Sequence, residues 1–167
     1  MSVFQDYPEE RLYTPSVWDG LSANEDLVRI SAIDAIIAVG APVALDAVAV
    51  RAGLDAVAFD AAVAGLDERH SWVRDDVVKF VYPVSALPTN HRVTLADGRS
   101  FSAMCVIDGM GTAFTFSQDV RLESVCSTCG EPVRVNVEAG EIASLEPLTA
   151  HVVHADLSKQ ENWAASC

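Results

Sequence analysis

Basic residues are scarce in this chain. Against 24 Asp and Glu stand only 11 Lys and Arg, a formal net charge of −13. Nucleic acid and anionic membrane surfaces are therefore disfavoured as partners, because both are bound by clustered cations that release counter-ions. Long apolar runs are also absent, and no stretch approaches the ~20 residues that a membrane-spanning helix needs. The opening "MSVFQDYPEERLY" places charges and a proline where a secretory signal would carry its apolar core, so a cytoplasmic location is expected. Cysteine is sparse too: four in 167 residues are too few for a disulfide scaffold, and each must be weighed as core filler, metal ligand or reactive thiol. Internal repeats and low-complexity tracts are missing.

What the chain does have is apolar content for a buried core, 50% of its residues, and a pattern that changes along its length. The expected fold class is α+β, with an N-terminal winged-helix-like helical domain followed by a mostly β domain with short helices. Residues 1–21 read as an arm. From 22 the pattern turns helical: Ser22 and Glu25 form a capping-box signature, and Leu27, Ile30, Ile33 and Ile37 follow at spacings of three and four up to Gly40. A second helix is expected from Pro42 to Gly53. A third starts near Asp55, with Phe59, Val63 and Leu66 on one side. The segment "SWVRDDVVKFVYPV" adds two strands, which completes a winged-helix pattern over residues 22–85. A DNA-reading helix would show Arg, Lys, Asn or Gln outward. The third helix shows Asp55 and Asp60 and has no basic residue before Arg69, so the module is read as an accessory or interface unit.

A second unit is expected over 86–167. "HRVTLADGRSFSAMCVI" is a hairpin signal around Asp97-Gly98, and further strands are expected at "RLESV", "PVRVNV" and "TAHVVHAD", with a helical turn at "SKQENWAAS". All four cysteines lie in this half. In "SAMCVIDGMGTAF", Cys105 and Asp108 stand three apart. In a continuous strand they would face opposite ways, whereas a strand that ends at Met104 and gives way to a helical turn puts both on one face; Gly109 and Gly111 make such a break credible. Two readings stay open at this point. Cys105 is a buried small hydrophobe and Asp108 a turn opener, or the carboxylate is placed to exchange a proton with the thiol.

"ESVCSTCGEPVRV" carries Cys126 and Cys129 as C-x-x-C-G before a strand. This is half of a zinc-ribbon knuckle, and a structural zinc would need further ligands from Cys105, Cys167, His151 or His154. A redox pair would lack its usual βαβ setting. His151 and His154 flank two valines in an expected strand and read as ordinary strand residues. Cys167, at the end of "ENWAASC", is incidental unless something ties it to the others.

The order and spacing of these residues resemble the organomercurial (alkylmercury) lyase family. Its active segment typically reads W-C-A-L-D-T-L-G, and "MCVIDGMG" keeps the Cys, the Asp and the last Gly, with Met104 in the aromatic position. Its next landmark, E-S-x-C-x-x-T/C-G-x-P, is matched by "ESVCSTCGEPV", with Cys129 where Thr is common. A later catalytic cysteine is matched by Cys167. The resemblance implies that Cys105 and Cys167 bind the mercury of substrate and product, that Asp108 moves the proton, and that Cys126 is structural. It implies protonolysis of an organomercurial small molecule to a hydrocarbon and Hg(II). No cofactor would be required, and cellular thiols or a mercuric reductase would accept the product. It also implies a helical front domain that does not bind DNA. Two alternatives accompany it: a non-catalytic thiol protein that holds zinc, copper or mercury through Cys126 and Cys129, and a diverged lyase-like enzyme with another substrate.

Overall fold

The computed structural model describes residues 20–68 and 72–152. Its first element, α1 (Ala23–Val39), begins where the capping box predicts. The Ser22 hydroxyl accepts from the Glu25 amide at 3.2 Å and the Glu25 carboxylate accepts from the Ser22 amide at 2.6 Å. Gly40 ends the helix in the left-handed conformation, at φ 69, which costs glycine little. The buried face differs from the expected stripe. Val28, Ala32, Ile33 and Ile36 face the core while Leu27 is 41% exposed. Apolar residues occupy so much of this helix that spacing alone left the inward face ambiguous.

The next helix is shorter than expected. Val43–Ala44 forms strand β1, paired with Val77 and Val78, and α2 covers only Leu45–Ala52. Pairing with a distant strand overrides the helix-starting signal of Pro42. Helix α3 (Ala56–Glu68) buries Phe59, Val63 and Leu66, as its spacing predicts. Strands β2 (Trp72–Arg74), β3 (Val77–Val81) and β4 (Val84–Ser85) follow. Asp67, at the end of α3, accepts from Trp72 Nε1 at 2.7 Å and from Arg74, tying helix to hairpin.

The remaining elements are β5 (His91–Leu95), β6 (Ser100–Ala103), α4 (Val106–Phe116), β7 (Val120–Val125), β8 (Pro132–Glu138) and β9 (Glu141–Glu146). The Asp97-Gly98 hairpin, the two strands around Arg74–Asp76, β7 and β8 lie where the sequence pattern puts them. The choice left open at Cys105 is decided for the helical turn: β6 ends at Ala103, Cys105 caps α4 and Val106 begins it. Two other points differ from the sequence pattern. A strand at 141–146 was not expected, because Glu141 to Glu146 is exposed and lacks a clean apolar alternation. Of "TAHVVHAD", residues 149–152 are not strand; the rest, like residues 1–19 of the arm expected over 1–21 and the turn at "SKQENWAAS", lies outside the described residues.

The architecture is α+β. Antiparallel pairing joins the strands in the order β1-β3-β4-β6-β5-β7-β8-β9, with β2 also on β3. The sheet thus runs without a break from the first half of the chain into the second, through β4 paired with both β3 and β6. One cluster of buried side chains extends along it, from Val28 and Ile33 to Leu122 and Val137. Helix α4 lies on the far part of the sheet, and Gly109 sets how closely. A Cβ there would stand 2.7 Å from Leu122 Cδ1 and 3.5 Å from Ala103 Cβ. Gly111, two residues on and so on the opposite side of the helix, has open space around it.

Candidate active site

Strand β6 stops at Ala103, and the backbone is turned by Met104, whose amide donates to the Pro83 carbonyl at 3.3 Å. Cys105 is then the N-cap of α4, in an extended conformation at φ −140 and ψ 178. Cysteine in this position substitutes for the usual Ser, Thr, Asp or Asn. Asp108 is the third residue of the helix, so the geometry of a cap brings its amide onto the sulfur: Asp108 N–H donates to Cys105 Sγ at 3.4 Å. In return Cys105 Sγ–H donates to Asp108 Oδ2 at 3.2 Å. The two residues are thereby joined by a reciprocal pair of hydrogen bonds, one between the side chains and one from the Asp108 backbone.

Electrostatics around the pair pull in two directions. The helix N-terminus presents unpaired amides and a partial positive charge, which favours negative charge on the pair. Burial opposes it and dominates at Asp108. Loss of water raises the carboxyl from 3.8 to about 6, with hydrogen bonds from the Cys105 thiol and backbone working against the rise. A carboxyl near 6 ionises readily at neutral pH yet holds a proton well enough to deliver it, which suits it to act first as base and then as acid.

The sheet places a further side chain on this face that sequence reasoning missed. His91 is in phase with buried Val93 and Leu95, and its Nδ1 lies 2.9 Å from Ser124 Oγ. Burial lowers its pKa, which favours the neutral ring. The alternation His91-Val93-Leu95 was the available signal.

The other anticipated residues are placed apart from the pair or not at all. Cys126 and Cys129 sit in the turn between β7 and β8, Cys126 half-buried and Cys129 exposed. Amides of Cys129 and Thr128 donate to Cys126, and with the Cys129 side chain they lower its thiol pKa. Among the described residues no group of three His, Cys, Asp or Glu could hold a metal. The knuckle therefore offers zinc half of a tetrahedron there, which does not make a closed structural site. His151 is exposed, with Nδ1 2.6 Å from the Thr149 carbonyl. His154 and Cys167 lie outside the described residues. A surface groove of about 380 Å³ runs past Thr89, Arg92, Glu123 and Arg134 and is not lined by Cys105.

The fold is thus an α+β sheet protein in which a thiol and a carboxyl are joined across a helix cap, within reach of exchanging a proton. Comparison with known proteins makes the class specific. The alkylmercury lyase (MerB) family model matches residues 84–167, half of the chain. The chain belongs to the alkylmercury lyase family. Alkylmercury lyases of Bacillus cereus and Clostridium butyricum are each 39% identical over 69 residues, 41% of this chain and 31% of theirs. The Staphylococcus epidermidis alkylmercury lyase is 34% identical over 71 residues, 42% of this chain and 32% of its own. The matched stretch thus spans about a third of these relatives. A crystal structure of the mercury-bound form of MerB2 shares the fold, with a TM-score of 0.59 at 24% identity over 78% of this chain and 64% of that one.

Proposed function

We propose that this protein is an organomercurial lyase that breaks carbon–mercury bonds by protonolysis. The observation that carries the reading is the reciprocal Cys105–Asp108 pair, with a buried carboxyl raised to about 6; family membership of the segment that holds it gives the substrate class. R–Hg⁺ is a soft cation that prefers thiolate sulfur. Asp108 takes the Cys105 proton, and the thiolate displaces a weaker ligand from mercury. The thiol of Cys167 loses its proton to water and adds a second sulfur, which binds the better for being on the same chain. Electron density from two sulfurs weakens the Hg–C bond. Asp108, now protonated and shielded from water, gives its proton to carbon as the Hg–C electron pair becomes the new C–H bond. The products are the hydrocarbon and Hg(II) on two thiolates, which cellular thiols or a mercuric reductase then accept.

In this reading residues 22–85 form a winged-helix-like module and 86–167 the lyase-like catalytic unit, with 1–21 as an arm. The support is the succession α1, α2, α3 and the β2–β3 hairpin. Helix α3 has no Lys or Arg between Ala56 and Glu68, so the module serves packing rather than DNA. The protein works in the cytoplasm, where small thiols are abundant. The reading is tested by anaerobic turnover of phenylmercury with excess thiol, following released benzene. Benzene release that falls to the background rate in Cys105→Ser is expected; equal release by the two proteins would sink the reading.

A further inference from the structure

The sheet register relates the two cysteine segments in a way that their sequence separation hides. Arg92 pairs with Ser102 and His91 with Ser124. Continuing the first register by one residue sets Ala103, His91 and Ser124 side by side across β6, β5 and β7. Strands β6 and β7 are both antiparallel to β5 and so run toward the same end of the sheet. Cys105 lies two residues beyond Ala103, and Cys126 lies two residues beyond Ser124. With strands spaced about 4.8 Å apart, two strand spacings put the Cys126 turn roughly 10 Å from the Cys105 cap.

Backbone hydrogen bonds hold that turn in shape. Cys126 N–H donates to the Glu131 carbonyl and Gly130 N–H to the Cys126 carbonyl, each at 2.9 Å. Gly130 takes the left-handed conformation, at φ 77, that closes the turn. Cys126 and Cys129 stand three apart in this closed turn, so two thiols are presented by one short loop on a surface where Cys126 is half-buried and Cys129 exposed. No third ligand joins them among the described residues. Two thiolates alone are a poor site for zinc, which takes four ligands, but they satisfy a soft d¹⁰ cation that is content with two. Of such cations Hg(II) is the one the proposed reaction releases at the same end of the sheet.

We propose that Cys126 and Cys129 form a second mercury site, a solvent-facing dithiol that takes Hg(II) away from Cys105 and Cys167 after each cleavage. The source of the mercury rests on the lyase reading; the chelating ability of the dithiol does not. Transfer is thiol exchange without oxidation or reduction. The separation exceeds what one bridging mercury spans, so a small cellular thiol carries it. Two such thiols replace the catalytic sulfurs on Hg(II) and give them their protons. Cys126 and Cys129 then displace the carriers and return the protons to them. Two Hg–S bonds break and two form at each stage, and the carrier thiol is regenerated.

The test uses the full chain. The Cys105→Ser/Cys167→Ser variant keeps Cys126 and Cys129 as its only cysteines out of four. Titrated with mercuric chloride against a competing monothiol, it should bind one Hg(II) per chain. Adding Cys129→Thr should weaken that binding by at least about 100-fold, the usual gain from making a second contact intramolecular. A change below ten-fold overturns the site. Cys129→Ser serves as a second variant, with circular dichroism to show which is folded. In the parent protein, one turnover of phenylmercury at limiting thiol should leave Cys126 and Cys129 protected from alkylation. Protection confined to Cys105 and Cys167 would overturn the transfer while leaving the lyase reading intact. Chelation at the dithiol without benzene release would sink the lyase reading instead.

Discussion

Asp108 keeps its proton where an exposed aspartate would have lost it, and this has consequences both for stability and for rate. The carboxyl titrates at about 6 in the folded protein against an ordinary value of 3.8. Between those values the folded chain binds more protons than the unfolded one. The contribution of Asp108 to stability is therefore most favourable below about pH 4, declines as pH rises to about 6, and is level above that. Two pH units correspond to roughly 3 kcal/mol. Asp108→Asn should remove this decline, so that denaturant unfolding at pH 7.5 finds the variant gaining on the parent relative to pH 4.5. If the difference between the two proteins is the same at both pH values, the buried carboxyl does not titrate as described. The rate should respond in the opposite sense. Proton removal from Cys105 needs ionised Asp108, so kcat/KM for an organomercurial should rise with pH through about 6 and flatten above. A parent profile that shows no inflection near 6 would remove Asp108 from the role of base.

At the scale of elements, the site depends on how α4 meets the sheet. The cap at Cys105 and the close approach at Gly109 act together: one starts the helix, the other lets its first turn settle against Leu122 and Ala103. Gly109→Ala would force a Cβ into contact with Leu122 and should destabilise by about 1–3 kcal/mol, as overpacking does. It should also slow turnover, because it displaces the turn that holds Asp108. Gly111→Ala enters open space in the same helix and should stabilise by up to about 1 kcal/mol, the usual helix advantage of alanine. Thermal unfolding and turnover of the two variants check both statements. Equal effects would mean that α4 is not seated through Gly109. The pattern of the sequence allowed for a strand break here, and the missing Cβ at 109 was legible only as part of that break. In the fold it is a packing position.

At the scale of the molecule, the unbroken sheet through β3, β4 and β6 ties the helical front to the half that carries the site. Ile36 on α1 and Leu122 on β7 are both fully buried, contributed to one core by the two halves of the chain. Ile36→Ala and Leu122→Ala should each cost about 2–5 kcal/mol and should shift one and the same transition. Calorimetry should find equal calorimetric and van't Hoff enthalpies in the parent and in both variants. Two separable transitions, with each variant moving only one, would mean that the halves unfold independently. If the halves do unfold as one, the front module is required for the fold that carries the site.

Much was legible in the sequence because its causes are local. Ser22 and Glu25 mark the start of α1, Gly40 and Gly53 end their helices, Asp97-Gly98 turns a hairpin, and a cysteine and an aspartate three apart meet once a helix begins between them. The order of Cys105, Asp108 and Cys126 with their neighbours also named the family. What the sequence could not decide depended on partners far along the chain. Val43 and Ala44 leave the helix pattern because Val77 and Val78 pair with them. The inward face of α1 is chosen by what packs on it, and β9 exists because β8 offers an edge. The pKa of Asp108 is set by burial, which no local spacing encodes. The nearness of Cys105 and Cys126 likewise comes from two strands running the same way on either side of β5, a relation that only the assembled sheet creates.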